Sequence, residues 1–412
     1  MRILMLTQSY APIVGGVERI VEDLSSELLL RGHEVGVATL RQPGAEPLRS
    51  HNGVAIHALD SSTYRIPGVR LDQERRHAPP LPDPETALAL RRLIRRERPD
   101  VVHAHNWLVH SYLPLERRSD AALALSLHDY GLVCATKRFL NRGAACTGPG
   151  YAKCISCAGQ YYSPVKGLGV ALATRLSESH VRRHVDMMIP VSTAVRDLCR
   201  IGPEEQHRVI PNFIRGLPPL PPNLEAHLSE LPEEPFILFL GDVTKDKGAD
   251  LLVEAYRSLE APPPLVLIGR CFLEELAAVP GVRTLGPMPH PYAMAALRRS
   301  LFTVVPSILP EAFGLAALES AAAGKPTVAA AIGGLRDVVV DQETGFLVAP
   351  GDVAPLASAM AKLLADPELR AQMGARAEVQ ADLFAPDVVV TQFEEAYGVA
   401  IEASRGRRPS GR

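Results

Sequence analysis

Short apolar runs alternate with amphipathic stretches along nearly the whole chain. ILMLT (3–7), VGVATL (35–40), VVHAH (101–105), ALALSLH (122–128) and MMIPVS (187–192) are compact and apolar, as strands buried on both faces are. Between the first two, VERIVEDLSSELLLRG sets Val17, Ile20, Val21, Leu24 and Leu28 at helical spacing, with Gly32 where a helix C-cap belongs. Strand, helix and strand in that order predict a parallel sheet covered by helices. The rhythm breaks at GLPPLPPNLEAHLSELPEEP (216–235), whose six prolines predict an extended linker. It restarts with FILFLGD (236–242), PLVLIG (264–269), VRTLG (282–286), FTVVPS (302–307), PTVAA (326–330) and GFLVAP (345–350).

A last periodic segment, 387–404, predicts a helix that packs back on the N-terminal domain, and RGRRPSGR (405–412) predicts a disordered tail. The expected fold class is α/β, with two Rossmann-like doubly wound domains. The N-terminal domain spans 1–215 with a cysteine-rich, loop-rich insert at 130–160, and the second domain spans 236–386. A chain of 412 residues exceeds what one core usually serves, which agrees with two domains. Ligands of such sheets bind outside the carboxyl ends of the strands, so two facing domains are expected to share a cleft.

Composition narrows the function. The chain is 47% hydrophobic and 22% charged with a net charge of −2, which gives no general attraction to nucleic acid. No run of 18 apolar residues occurs, and MRILMLTQSY reads as a strand rather than a leader. The expectation is a cytoplasmic protein with at most peripheral membrane contact. RRLIRRER (91–98) reads as the solvated face of a helix. Six cysteines are too few and too clustered for a disulfide framework.

Three stretches carry candidate chemistry. Gly15-Gly16 follow a strand and open a helix, where backbone can approach a ligand and helix N–H groups can meet an anion. Lys247-Gly248 sit at another strand-to-helix junction, where a lysine can meet phosphate. In PEAFGLAALESAAAGKPTVA (310–329), a helix start exposes the N–H groups of Phe313, Gly314 and Leu315. Glu311 lies just before that start and Glu319 just over one turn inside it. A carboxylate only accepts hydrogen bonds, so one can grip the diol of a sugar and the other that of a ribose. An anion site between two diol binders describes a nucleoside-diphosphate sugar.

A second cluster places Cys134, Cys146, Cys154 and Cys157 within 24 residues, a set that suits structural Zn2+ or an iron–sulfur cluster, or else a group of free thiols. Cys199 and Cys271 read as core thiols. His103, His105 and His110, near Trp107, read as hydrogen-bonding groups.

Taken in order, Gly15-Gly16-Val17-Glu18, RGHEV (31–35), VVHAH, His128-Asp129, PVS (190–192), PN (211–212), Lys247-Gly248, Glu311-x7-Glu319 and Gly333-Gly334 resemble the family-4 retaining glycosyltransferases of GT-B fold. The resemblance implies that Glu311 binds donor-sugar hydroxyls and Glu319 the ribose. It implies that Lys247 and the amides of Gly16, Gly314 and Leu315 hold the diphosphate, with Gly15, Gly241, Arg270 and Phe313 completing the donor set. His128 would lie against the donor sugar near the reacting carbon. The family needs no catalytic metal, and the chain contains no D-x-D.

One position departs from the family, which carries arginine after the strand glycine where this chain has Asp242. An aspartate beside a diphosphate is repelled, so Arg270 or Arg19 must compensate or Asp242 must turn away. The implied partners are a UDP- or GDP-sugar donor and a small-molecule, lipid or glycan acceptor, joined with retention by front-side attack. Three other readings compete. They are a sugar-nucleotide epimerase, a noncatalytic sugar-nucleotide binding protein, and a nicotinamide dehydrogenase, which lacks its G-x-G-x-x-G fingerprint here.

Overall fold

The computed structural model describes all residues except 14, 44–47, 66–75, 221, 223, 225–228 and 408–412. The chain divides into two compact units, Met1–Phe139 with Cys146–Pro211 and Pro386–Arg412, and Leu140–Ala145 with Asn212–Ala385.

In the first unit the early apolar runs form β1 (Arg2–Thr7), β2 (Glu34–Leu40), β3 (Ser50–His51), β4 (Val54–Leu59), β5 (Val101–Ala104) and β6 (Ala122–Leu127). A short hairpin, β7 (Leu140–Asn141) and β8 (Ala144–Ala145), groups with the second unit, and β9 (Met187–Pro190) returns to the first. The sheet runs β3–β4–β2–β1–β5–β6–β9, parallel throughout except for β3 on β4. All the residues of β5, β6 and β9 are buried, which is why they read as unbroken apolar runs. α1 (Gly16–Leu30) begins at Gly16 and buries Ile20, Val21, Leu24 and Leu28. α2 (Pro84–Glu97) starts from the Asp83 cap, whose carboxylate accepts from the Thr86 amide at 2.8 Å. It buries Leu90, Leu93 and Ile94 and leaves Arg92, Arg95 and Arg96 in solvent. α3 (Val109–Tyr112) is a single turn.

The insert expected to be loop-rich is instead largely helical. α4 (Tyr151–Tyr161) and α5 (Pro164–His184) pack as a hairpin around Gly167, where a Cβ would lie 2.3 Å from the Ala158 backbone. Only a glycine permits that approach.

The helix Pro386–Gly406 belongs to the first unit. It buries Val389, Val390, Phe393, Ala396, Tyr397 and Ala400 there. The Glu394 carboxylate accepts from Arg31 at 2.7 Å and contacts the His33 ring at 2.8 Å, and Arg407 pairs with Asp186. Arg405 and Gly406 thus end a helix rather than open a tail, and 408–412 lie outside the described residues.

The second unit holds β10 (Ile237–Leu240), β11 (Leu265–Ile268), β12 (Val282–Thr284), β13 (Phe302–Val305), β14 (Thr327–Ala330) and β15 (Gly345–Val348). They form an all-parallel sheet in the order β12–β11–β10–β13–β14–β15. The Pro-rich stretch read as a linker groups with this unit: Leu231 is buried in its core, and Leu217 and Leu224 pack against it. Among the described residues, no helix is long and apolar enough to cross a membrane.

Candidate active site

In the second unit, two strand-to-helix turns are drawn together. The first leaves β10 and ends at Lys247 and Gly248, the N-cap of helix Ala249–Arg257. The second leaves β13 and ends at Gly314, the N-cap of helix Leu315–Ala322. The Asp246 carbonyl accepts from the amides of Ile308 at 2.9 Å and Leu309 at 3.0 Å, which ties the first turn to the second. Lys247 Nζ then donates to Glu311 Oε1 at 2.6 Å, and Ser307 Oγ donates to the same oxygen at 2.6 Å. From the other side the Gly334 amide donates to the Glu311 carbonyl at 2.7 Å. Gly333, at φ +59°, lies so close that a Cβ would stand 2.2 Å from that carbonyl oxygen. A lysine and two helix N-termini in one neighbourhood make a site suited to an anion.

Glu319 is the fifth residue of helix Leu315–Ala322, and its side chain is only 8% exposed. A carboxylate so buried needs a partner, and the His290 ring supplies one, with Nε2 2.8 Å from Oε1. His290 opens the helix His290–Arg299 and lies 29 residues upstream in a stretch whose pattern gave no sign of it. Phe313 points into the core, edge-on to Phe384 at 5.7 Å, so it offers the site backbone and not its ring. Leu315 is half-buried at the helix start. Gly241, at φ +141°, directly follows β10, and its amide donates to the Ile268 carbonyl at 2.9 Å.

Asp242 is compensated. Arg270 donates to its two oxygens at 3.1 and 2.7 Å, a two-pronged pair that occupies the guanidinium expected to serve a phosphate. Arg19, the other cation considered, stands on α1 of the first unit.

The first unit gathers a row of histidines. β5 and β6 pair in parallel with His103 beside Ala124, so the residues just beyond their ends, His105 and His128, become neighbours. His105 Nδ1 and His128 Nε2 are 3.0 Å apart. The His103 ring lies 4.0 Å from the His105 ring, with Nδ1 2.8 Å from the Tyr397 hydroxyl and Nε2 2.8 Å from Ser126 Oγ. Burial, with nearby histidines adding to it, holds His103 down to about 3 and His105 well below the usual histidine value. Burial likewise lowers His128 to about 4, against the opposing pull of Asp129. All three are therefore neutral at pH 7.

Their tautomers follow from one contact. His105 Nε2 faces the Met5 sulfur at 3.5 Å, and a thioether can only accept. The proton of His105 therefore sits on Nε2, and its Nδ1 accepts from His128 Nε2–H. That leaves His128 Nδ1 as a bare acceptor, buried and with no hydrogen-bond partner among the described residues. Neither His105 as the partner of His128 nor Met5 as the partner of His105 was legible in the sequence. Gly15 caps α1 in an extended conformation, and Gly16 is the first helical residue.

The four clustered cysteines share one region. Cys154 and Cys157 sit one turn apart on α4, and burial raises the Cys157 thiol, helped by Cys134, Cys146 and Cys154. The Gly150 amide donates to Cys154 Sγ at 3.3 Å, Cys146 Sγ donates to the Gly148 carbonyl at 3.4 Å, and Cys134 Sγ lies 3.4 Å from Thr136 Oγ1. Among the described residues, no group of three or more His, Cys, Asp or Glu is disposed to hold a metal ion. Cys199 is buried and Cys271 half-buried.

Comparison with known proteins places these features. The glycosyltransferase family 4 model matches residues 14–215, and the glycosyl transferases group 1 model matches 223–380. The chain is 30% identical to a glycogen synthase of Mycobacterium tuberculosis, over 99% of this chain and 96% of that protein. Its fold superimposes on sucrose-phosphate synthase of Thermosynechococcus elongatus with a TM-score of 0.73 at 20% identity, over 98% of this chain and 99% of that one. It also superimposes on Anabaena HepE in complex with UDP-glucose, with a TM-score of 0.69 at 18% identity, over 97% and 99% of the two chains.

Proposed function

Because the chain belongs to the family-4, group 1 glycosyltransferases of GT-B fold, we propose that it moves a sugar from a nucleoside-diphosphate sugar to an acceptor hydroxyl with retention of configuration. The observation that carries this reading is the Lys247–Glu311–Ser307 cluster between two helix N-termini. It offers an anion site and a diol acceptor side by side, which a bare nucleotide site would not need. The UDP-glucose held by HepE supports the donor class, with UDP ahead of GDP.

In this reading Lys247 and the amides at Gly314 and Leu315 neutralise the diphosphate as its bond to the anomeric carbon breaks, and the electron pair leaves on the phosphate oxygen. The acceptor hydroxyl attacks the same face, forms the new C–O bond and gives its proton to a phosphate oxygen. Glu311 orients the donor sugar through its hydroxyls, and Glu319 serves the ribose with His290 behind it. For His128 the reading requires its enclosed Nδ1 to be uncovered before it can accept a hydrogen bond from a sugar hydroxyl. Nothing in the sequence marks a carboxylate nucleophile of the kind a double displacement requires.

Thermal-shift measurements with UDP, GDP, ADP, TDP and NAD test the donor class. A ligand at a hundredfold excess over its Kd stabilises the folded chain by about 2.7 kcal/mol. A shift with one nucleoside diphosphate and loss of transfer in Glu311→Ala, with that shift kept, support the reading. A shift with NAD alone, or full transfer in Glu311→Ala, overturns it. For the cysteines the proposal is a structural Zn2+ held by Cys134, Cys146, Cys154 and Cys157, which requires Cys146 to give up its bond to the Gly148 carbonyl while Cys154 can go on accepting from the Gly150 amide. One equivalent of zinc in the purified chain that is lost in Cys154→Ser/Cys157→Ser supports it, and a zinc-free wild type refutes it.

A further inference from the structure

α5 carries apolar residues on two sides, with Val170 and Val181 buried and a second set outside. Its small residues Gly167, Ala171, Ala173 and Thr174 face inward, while Val165, Leu168, Leu172 and Leu176 stand in solvent. Spacings of three, four and four place these four on one narrow stripe. Val165 is 85% exposed and Leu176 74%, and Tyr151, on α4, is 69% exposed. Such a run of large apolar side chains on one surface is more than singly scattered exposure and marks a contact. A cavity of about 150 Å³ opens beside it, lined by Val133, Tyr151, Ile155, Ala171, Leu172 and Arg175.

The charge around the stripe says what the contact is with. The chain as a whole has a net charge of −2, yet Tyr151–His184 carries Lys153, Lys166, Arg175, Arg182 and Arg183 against one acid, Glu178. That acid is already neutralised by Arg175 at 2.7 Å and Arg182 at 3.0 Å, and Arg182 is itself taken up by Glu205 at 2.7 Å, so the excess positive charge of the segment comes from Lys153, Lys166 and Arg183. Two of the exposed tyrosines lie beneath guanidinium groups, Tyr151 under Arg175 at 5.3 Å and Tyr161 under Arg138 at 5.2 Å. Aliphatic side chains in a row, cations beside them and tyrosines at the edge match the boundary between lipid headgroups and acyl chains. The arginines of α2 make the contrast, since the aliphatic residues Leu90, Leu93 and Ile94 of that helix are buried beneath them.

We propose that the α4–α5 hairpin seats this protein on an anionic lipid surface, with Val165, Leu168, Leu172 and Leu176 entering the headgroup layer. The docking stands whether or not the transfer reading holds, because it uses no residue of the candidate active site.

The test is flotation of the full chain with phosphatidylglycerol-containing vesicles and with pure phosphatidylcholine vesicles, at low and high salt. The anionic vesicles should carry the protein, and salt should weaken the binding. Val165→Glu/Leu172→Glu/Leu176→Glu should lower vesicle affinity more than about tenfold with an unchanged melting temperature, since all three side chains are exposed. Lys166→Glu should lower it about fivefold. Absence of wild-type binding, or equal binding by the triple variant, overturns the proposal. So does a wild-type dimer in light scattering that the triple variant makes monomeric, because a second copy would then cover the stripe. Salt-sensitive capture by heparin without any vesicle binding overturns it in favour of a soluble polyanion.

Discussion

Replacing Gly333 by alanine displaces the backbone that holds Glu311. The new Cβ would stand 2.2 Å from the Glu311 carbonyl oxygen, where real Cβ atoms keep at least 3.0 Å. Something must therefore give by about 0.8 Å. Pro-rich or loop backbone elsewhere could absorb that, but here the neighbouring Gly334 amide is bonded to the same carbonyl at 2.7 Å, so the Glu311 turn moves with it. A displacement near 1 Å at a substrate-orienting group costs about a hundredfold in rate. The residue also sits at φ +59°, which adds about 1–2 kcal/mol of strain for any side chain. The expected outcome is a melting temperature lowered by a few degrees and a sugar-transfer rate lowered about a hundredfold. Nucleoside-diphosphate affinity should change less, because Lys247 and the helix N-terminus at Gly248 lie on other backbone, whereas the N-terminus at Gly314 shares the Glu311 turn. Initial rates of diphosphate release, calorimetric titration of the nucleotide and a thermal melt read the three quantities separately. A variant that melts lower yet transfers at the wild-type rate would refute the coupling between Gly333 and Glu311, and one unchanged in both would refute the close approach itself.

The histidine row predicts that His105→Leu slows transfer about tenfold, by taking the acceptor from His128 Nε2–H, whereas His105→Asn, which restores a polar atom at the Nδ1 position, recovers most of the rate. ¹⁵N NMR of His128 should show one tautomer in the wild type and a mixture in His105→Leu, and a mixture already in the wild type would sink the assignment. Arg270→Ala uncovers the Asp242 carboxylate and should weaken nucleoside-diphosphate binding about tenfold, with Arg270→Ala/Asp242→Asn restoring it; titration of both variants decides the matter. Stability should also fall with acid. Burial, with Lys137 and His180 adding to it, holds His110 at about 3 in the folded chain, so between its ordinary value and that one the unfolded state binds the extra proton. At pH 5 this one residue costs about 2 kcal/mol relative to pH 8, and His103 and His128 act in the same direction. Thermal melts across that range should drop for the wild type and drop less for His110→Gln.

The strands of both sheets were legible because parallel strands buried on two faces leave nothing polar to interrupt them. β4 escaped notice, since VAIHAL alternates exposed and buried positions between segments without a clear period. α4 and α5 escaped because α5 has apolar residues on two faces, Val170 and Val181 buried with the glycine and alanines and the leucines exposed, which blurs a single helical stripe. At the candidate site, Lys247, Glu311 and Gly314 were found from their places at strand-to-helix turns, where local sequence dictates geometry. Arg270 was named as a partner for Asp242 from its place at the end of the next strand, but His290 behind Glu319 and His105 on His128 join residues 29 and 23 positions apart and were not. Such pairs depend on which strands lie side by side, and no short stretch of sequence encodes that.

The route of the chain bears on how the protein is made. The first unit lacks its final helix until Pro386–Gly406 has been synthesised, although its sheet is finished with β9 at Pro190. Until then the apolar surface that receives Val389, Phe393 and Tyr397 is open, and His103 lacks its tyrosine. The second unit, apart from Leu140–Ala145, is continuous from Asn212 to Ala385 and can close earlier. Folding on the ribosome therefore runs out of chain order here, the middle of the sequence maturing before its beginning. A nascent chain stalled near residue 385 would hold a finished second half beside an unfinished first one, and chaperone capture would be concentrated at that point of synthesis.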